Sequence, residues 1–194
     1  LRVAGKVRGL EDALEAAPHA GGLGIAHTRW ATHGEPSVAN AHPHVCRERV
    51  ALVHNGIIEN HDKLRDEQHA DGHQFHSQTD TEVVVNRVYD YLEQGDDLLT
   101  AVRRATFDLE GAYALAVVDR QHADRLVVAR RGSPLVVGLG IGENFVASDV
   151  FALLPVTQRF VFLEEGDVAE VTRESVRIFD EHGQPVTRKE SISE

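Results

Sequence analysis

Three clusters of polar residues in this chain have the residue types and spacing that catalysis or ligand binding requires. The first comprises residues 27–34 together with residues 40–44, the second is residues 54–56, and the third is residues 79–82. Each cluster is predicted to lie at the end of a strand, in a loop or at the start of a helix. Such positions are held by a rigid scaffold and face solvent, which is why binding sites are often built there.

Arg29 and Asp80 together could recognise the two charges of an α-amino acid. The planar guanidinium of Arg29, in a loop that ends at Gly34, can hold a carboxylate with two hydrogen bonds. The carboxylate of Asp80, at a predicted helix start, can hold an ammonium. Each residue also has a structural interpretation, because Arg29 could form an ion pair within the fold and Asp80 could cap its helix. Residue type and spacing leave both interpretations open.

The dipeptide Asn55-Gly56 is compatible with a turn or with a pair of oxyanion-binding donors. Both residues tolerate positive φ, and the apolar run 50–53 is predicted to end here, which favours a turn. The alternative is that the Asn55 side-chain amide and the Gly56 backbone N–H both point at a developing negative oxygen. The dipeptide alone does not decide between the two.

Histidines are concentrated in the first two clusters, which raises the question of a metal site. These histidines are His27, His33, His42, His44 and His54. No cysteine pair accompanies them, and the His-Glu-x-x-His pattern is absent from the sequence. Hydrogen bonding in loops is therefore the favoured interpretation, and no metal is predicted.

Cys46 is the one cysteine of the chain, and it is not predicted to be a nucleophile. Arg47 beside it could lower the pKa of the thiol, but residues 43–45 predict entry into a strand instead of a turn that would present it. A single cysteine cannot form an internal disulfide, so the chain is expected in a reducing cytoplasm. The glycine-rich run 138–142 precedes a strand and not a helix, so no nucleotide cofactor is predicted.

The elements that position these clusters are predicted from the periodicity of apolar residues. Helices are predicted over residues 7–17, 57–70 and 98–109, after a capping box at 79–82, and briefly at 150–154. Strands are predicted over residues 24–28, 50–53, 112–118, 125–129, 135–137, 144–147, 159–163, 168–171 and 175–178. Helices followed by many strands with short turns predict an α+β fold with antiparallel sheets.

Composition excludes several classes of protein. A formal net charge of −11 argues against nucleic acid or an anionic membrane surface as a partner. No apolar run approaches the roughly 20 residues of a membrane span, so no membrane partner is expected. The chain contains no methionine, and Leu1 begins what looks like the middle of a strand. The natural amino terminus is therefore expected to have been removed or to lie upstream.

Eight segments, in order along nearly the whole chain, resemble the glutaminase domains of glucosamine-6-phosphate synthases. They are AHTRWATHGEPS at 26–37, NAHPHV at 40–45, VHNGIIEN at 53–60, SQTDTEVV at 77–84, EGAYALAVVD at 110–119, RRGSPLVVGLG at 130–140, ENFVASD at 143–149 and FLEEGDVAEV at 162–171. The resemblance implies a class II glutamine amidotransferase domain with the Ntn-hydrolase fold. In that fold two antiparallel sheets lie between helical layers, in the order αββα.

The resemblance also implies a role for each candidate residue. In the family a thiol attacks the amide carbon of L-glutamine, ammonia leaves, and the glutamyl thioester is hydrolysed to glutamate. By the resemblance, Arg29 would hold the glutamine carboxylate and Asp80 would hold its α-ammonium. Asn55 and Gly56 would form the oxyanion hole. The other implied substrate-binding residues, all in the loop around bound glutamine, are Trp30, Thr32 and His33.

The family pattern implies that this chain lacks its nucleophile. In the family the nucleophile is an amino-terminal cysteine in a first strand, which the resemblance puts upstream of Leu1, and Cys46 has no catalytic counterpart. The domain is therefore expected to span residues 1–180 and to be amino-terminally incomplete. Without its first strand it should be less stable, and alone it should not hydrolyse glutamine.

The resemblance further implies partners outside the chain. Residues 181–194 are expected to form a polar tail or the start of a linker to a sugar-phosphate isomerase domain, which would transfer the ammonia to fructose-6-phosphate. The full-length protein is expected to be a homo-oligomer. The alternative from another class is a non-catalytic module that binds glutamine or regulates a partner.

Overall fold

The computed structural model describes residues 1–30 and 34–192, and these contain four α-helices and eleven β-strands. The helices are α1 (Val7–Ala16), α2 (His61–Ala70), α3 (Thr81–Glu93) and α4 (Leu98–Asp108), with short 3-10 helices at Arg120–His122 and Val150–Ala152. The strands are β1 (His44–Cys46), β2 (Val50–Ile58), β3 (Gly111–Asp119), β4 (Arg125–Arg131), β5 (Val136–Leu139), β6 (Asn144–Ala147), β7 (Arg159–Phe162), β8 (Val168–Thr172), β9 (Val176–Phe179), β10 (Pro185–Val186) and β11 (Glu190–Ile192). Within the described ranges, no helix has the length and apolar character needed to cross a membrane.

The strands form two sheets in which neighbouring strands are antiparallel. The larger sheet has seven strands in the order β1-β2-β3-β4-β8-β9-β10, and the smaller has four in the order β11-β7-β5-β6. Consecutive strands joined by short turns supply most of the pairs, which is why the strands after α4 could be predicted from alternation and turn residues. The predicted α+β fold with antiparallel sheets is confirmed.

The core lies on both faces of the seven-stranded sheet. One face packs against α3 and α4, where Val84 and Val102 of the helices and Leu52 of β2 share one buried cluster. The other face packs against the four-stranded sheet, where Val128 of β4 and Val137 of β5 share a second cluster. A small third cluster covers the outer face of the four-stranded sheet beside the 3-10 helix at 150–152. The layers are therefore, in order, the helices, the seven-stranded sheet and the four-stranded sheet. The family pattern implies a second helical layer outside the four-stranded sheet, and among the described residues a 3-10 helix lies there.

Strand β2 runs straight through Asn55-Gly56, for which a turn is one of the two interpretations of the sequence. It pairs with β3 over nine consecutive residues, and Gly56 lies opposite Tyr113. Gly56 has a φ of +124°, and a Cβ on it would lie 2.0 Å from the carbonyl oxygen of Ala112. Glycine is therefore required by the close approach of β3. The interpretation of Asn55-Gly56 as a turn is wrong, and the strand predicted to end at residue 53 continues to Ile58. Pairing with a full-length neighbour outweighs the local turn preference.

The start of α3 also differs from the capping box predicted at residues 79–82. The Glu82 carboxylate accepts hydrogen bonds from the backbone N–H groups of His76 and Ser77, each at 2.8 Å, instead of from the N–H of Thr79. Arg65 also holds the segment before α3, because its guanidinium donates to the carbonyl oxygen of Thr79 at 2.7 Å. The glutamate therefore fixes the approach to the helix and does not cap it.

Two further segments depart from the predicted elements. Residues 24–28, predicted as a strand, have no regular secondary structure, although Leu23 and Ile25 pack against the core between the sheets. Within the predicted tail 181–194, β10 pairs with β9 and β11 pairs with β7. Arg188, between these two strands, donates two hydrogen bonds to the buried carboxylate of Asp167, at 2.9 and 2.7 Å. This ion pair fastens the carboxy-terminal segment to the residue that precedes β8 of the seven-stranded sheet.

Candidate functional site

Asn55 lies in the exposed second half of β2, at a cleft between the two sheets. Side chains alternate along a strand: His54 and Ile58 face α3, whereas Asn55 lines the cleft. The cleft has a volume of about 1090 Å³ and is bordered by residues 21–28, by β6 and by the middle of β3. β6 is an outer strand of its sheet among the described residues. Because Asn55 lines the cleft, a ligand bound there can reach its side chain.

Asp80 brings a buried carboxylate to the end of the same strand. It precedes α3, but its side chain makes no cap hydrogen bond. Its Oδ2 instead accepts the backbone N–H of Ile58 at 2.8 Å, and the hydroxyl of Thr81 donates to its Oδ1 at 3.5 Å. Ile58 is three residues after Asn55 in the chain. The structure thus fixes the carboxylate of Asp80 relative to the cleft amide through the backbone of β2.

Arg29 organises the loop that follows it. Its Nη1 donates to the carbonyl oxygen of Glu35 at 3.0 Å, and its Nη2 donates to that of Gly34 at 3.1 Å. The same loop is tied to the segment before α3 by Asn40 and Gln78. Asn40 Nδ2 donates to Gln78 Oε1 at 3.0 Å, and the Gln78 backbone N–H donates to Asn40 Oδ1 at 2.8 Å. The guanidinium is therefore held in a fixed loop beside the histidine cluster.

The remaining candidates of this loop are placed only in part. Trp30 is 89% exposed, so its indole is available to cover a ligand. Thr32 and His33 lie outside the described residues. Their implied roles, like the roles of Arg29 and Asp80, stay predictions.

Four of the histidines form a cluster around two threonine hydroxyls. His42 Nε2 and His54 Nδ1 lie 3.1 and 2.9 Å from Thr81 Oγ1, and His44 Nε2 lies 3.0 Å from Thr79 Oγ1. The ring of His27 packs against that of His42, with their centroids 4.1 Å apart. These contacts connect the loop, β1, β2 and the start of α3.

The environment of the cluster disfavours charged imidazoles. Burial, followed by the nearby histidines, lowers the pKa of His42 to about 2. Burial also lowers the pKa of His44 to about 4, and it lowers the pKa of His27. The three rings are therefore neutral near pH 7. Among the described residues, no three His, Cys, Asp or Glu side chains are placed to share a metal ion.

The surroundings of Cys46 make its thiol unreactive. It is 5% exposed in the core beneath α3. Burial raises the pKa of its thiol to about 12, and the charge of Asp90 acts in the same direction. A thiol with such a pKa is almost entirely protonated at neutral pH and is a poor nucleophile. The expectation that Cys46 is not catalytic therefore agrees with its surroundings.

The sequence did not reveal which side chains hold the candidate residues in place. His27, predicted as one of several loop hydrogen-bonders, has its Nε2 2.7 Å from Asn55 Oδ1. Thr81 belongs to the predicted capping box, yet its hydroxyl joins two histidines and Asp80. The concentration of histidines near residue 42 was the available signal, but their partners come from distant parts of the chain.

Known proteins with similar sequences support one family. A family model described as "Glutamine amidotransferase domain" matches residues 7–184. The chain is 60% identical over 193 residues to the glutamine–fructose-6-phosphate aminotransferase (isomerizing) of Shewanella oneidensis, covering 100% of this chain and 32% of that protein. It is 60% identical over 190 residues to the enzyme of the same name from Escherichia coli K12, covering 98% of this chain and 31% of that protein. The chain thus spans about a third of the length of these curated relatives.

Solved structures agree at the level of the fold. The glutamine phosphoribosylpyrophosphate amidotransferase of B. subtilis, in complex with ADP and GMP, matches with a TM-score of 0.65 and 25% identity, over 79% of this chain and 34% of that one. A structure described as the allosteric regulatory enzyme of purine biosynthesis matches with a TM-score of 0.66 and 25% identity over the same shares. Both sequence and fold lead to one conclusion: the chain belongs to the class II glutamine amidotransferase domain family.

Proposed function

We propose that this chain is the glutamine-binding and amide-activating part of a glutamine–fructose-6-phosphate aminotransferase. One observation carries the proposal: β2 presents Asn55 to the cleft and, three residues later, anchors the buried carboxylate of Asp80. The Asn55 side chain can donate a hydrogen bond to a carbonyl oxygen, and the Asp80 carboxylate can bind an ammonium group. An α-amino acid with a side-chain amide carries both of these groups. The names of the two relatives supply the nitrogen donor, glutamine, and the acceptor, fructose-6-phosphate.

The proposed reaction assigns one task to each group. Asp80 binds the α-ammonium of glutamine, and Arg29 binds its carboxylate, with Trp30 covering the bound amino acid. A thiolate attacks the side-chain amide carbon, and the carbonyl oxygen becomes an oxyanion that accepts hydrogen bonds from Asn55 Nδ2 and the Gly56 backbone N–H. The tetrahedral intermediate expels ammonia as the nitrogen takes up a proton. Water then hydrolyses the glutamyl thioester, which gives glutamate and restores the thiol.

The thiol in this scheme does not come from Cys46. That side chain is buried in the core, and its pKa of about 12 keeps it protonated. We propose that the nucleophile is supplied from outside the 194 residues described by the sequence, and that a further domain uses the ammonia. Thr32 and His33 are proposed to complete the binding loop.

Glutamine binding to the 194-residue chain tests the proposal directly. Isothermal titration calorimetry should detect L-glutamine, and Asp80→Asn should weaken binding about tenfold or more, since a hydrogen bond to a charged group contributes about 1.5–3 kcal/mol. Asparagine keeps an oxygen that can accept the Ile58 N–H, so the variant removes charge with little change in shape. Asp119→Asn is the matched control, because Asp119 is also a buried carboxylate. It lies at the end of β3, opposite Val50 and away from Asn55.

Two results would contradict the proposal. One is a wild-type chain, folded by circular dichroism, that binds no L-glutamine; the other is equal affinity in the wild type and Asp80→Asn. Turnover is then measured on the protein expressed from its complete reading frame, as glutamate released from glutamine. Binding without any release would favour the alternative of a non-catalytic glutamine-binding module.

A further inference from the structure

We infer that His27 is a positioning residue that holds the Asn55 amide with its NH₂ group toward the cleft. The inference rests on the proposed function, because it assigns the device that orients one of the two oxyanion donors. His27 does not touch the substrate in this scheme. It acts through Asn55, whose Oδ1 lies 2.7 Å from His27 Nε2.

An exposed asparagine needs such a device because its carboxamide has two ends of opposite character. The NH₂ group donates hydrogen bonds, whereas the carbonyl oxygen only accepts them. Rotation by half a turn would put the oxygen of Asn55 toward the developing oxyanion and would repel it. The side chain lies in the exposed part of β2, so packing alone does not select the productive orientation.

The contact between the two side chains requires a particular tautomer of His27. With Oδ1 as the amide atom that lies 2.7 Å from His27 Nε2, the proton of the contact is on Nε2, because a carbonyl oxygen has no hydrogen to donate. Burial lowers the pKa of His27, so the ring is neutral near pH 7 and carries one N–H. That single proton is used on Asn55, while Nδ1 is buried without a hydrogen-bond partner in the described residues.

The position of His27 is itself fixed by packing. Leu23 and Ile25, in the same irregular segment, pack against the core between the sheets. The imidazole lies against the ring of His42 at a centroid distance of 4.1 Å, and His42 contacts the hydroxyl of Thr81. A chain of contacts therefore runs from the start of α3 to the cleft amide.

The competing arrangement is specific enough to test. In it the proton of His27 sits on Nδ1, and Asn55 is turned over so that Nδ2 donates to Nε2. Long-range ¹H–¹⁵N NMR of the histidine rings, on the 194-residue chain at pH 7, distinguishes the two tautomers. Protonation at Nε2 is the expected result. Protonation at Nδ1 overturns the inference, whether or not the chain binds glutamine.

Kinetics of the protein expressed from its complete reading frame provide the second test. A Gln side chain places an amide N–H close to the position of imidazole Nε2, whereas an Asn side chain reaches only the position of Nδ1. We therefore expect His27→Asn to lower kcat for glutamine about 100-fold, as loss of an oxyanion donor does, with little change in KM. His27→Gln should recover most of that loss. His73→Asn is the control, because His73 is a half-buried histidine paired with Asp90 outside the cleft.

The outcomes separate this inference from the proposed function. A wild-type protein without glutaminase activity contradicts the proposed function, and the tautomer then decides the inference alone. An active wild type with equal losses in His27→Asn and His27→Gln, or with a change in KM alone, contradicts the positioning role. Melting temperatures of all variants are compared first, so that a folding defect is not counted as a catalytic one.

Discussion

Acidification should destabilise this domain through its histidine cluster, well above the pH at which most carboxylates titrate. In the unfolded chain both His42 and His44 have pKa values near 6.5. In the folded chain burial lowers these values to about 2 and about 4. Below pH 6.5 the two imidazoles therefore bind protons in the unfolded chain but stay neutral in the folded chain. The free energy of unfolding falls as pH falls.

The size of the effect follows from the pKa values. Each group contributes a slope that approaches 1.36 kcal/mol per pH unit below its unfolded pKa. Between pH 7 and pH 5 the loss is about 2 kcal/mol for each histidine and about 4 kcal/mol for the pair. Such a loss is a large fraction of the 5–15 kcal/mol that stabilises a typical domain.

Urea unfolding at pH 7 and pH 5 measures this loss, and a double variant isolates it. His42→Gln with His44→Gln removes both titrations while each glutamine amide can still reach Thr81 or Thr79. The free energy of unfolding of the double variant should fall by about 4 kcal/mol less than that of the wild type over this range. If both proteins lose the same stability between pH 7 and pH 5, the reasoning about the buried imidazoles is refuted.

Three more substitutions or labels test other parts of the structure. Gly56→Ala should destabilise the domain by about 3 kcal/mol or more, because its Cβ would overlap a carbonyl oxygen of β3 at positive φ; Gly72→Ala, also at positive φ but with open space around it, should cost less in urea unfolding, and equal costs would contradict the steric reason. Arg188→Met should cost about 3–5 kcal/mol, since it leaves a buried carboxylate without its guanidinium, and a loss below 1 kcal/mol would contradict this. Cys46 should react with a thiol reagent only after urea unfolds the chain, and rapid labelling of the native chain would show that the thiol is accessible.

The sequence predicted much of this fold because many signals were local. Alternating apolar residues with short turns identify β6 and the strands around it, and the periodicity of Val84, Val88 and Leu92 identifies α3. Residue type alone also indicates Arg29 and Asp80 as candidate binding residues. These predictions need only neighbours in sequence, which is what a single chain provides.

The failures have the opposite cause, since each depends on a distant partner. Asn55-Gly56 does not turn because β3 pairs along the whole of β2. Glu82 does not cap its helix because the N–H groups of His76 and Ser77 reach it first. The contact between His27 and Asn55 joins residues 28 positions apart, so no local pattern could have predicted it.

Because the Asp80 carboxylate is hydrogen-bonded to the Ile58 N–H, strand β2 sets the spacing between this carboxylate and the Asn55 amide for any amino acid bound as proposed. A strand advances about 3.3 Å per residue, so the three steps from Asn55 to Ile58 span about 10 Å along the backbone. The sheet, and not a flexible loop, then sets the spacing between the charge that receives an ammonium and the amide that receives a carbonyl. A homologue of glutamine one methylene shorter would have to give up one contact to keep the other.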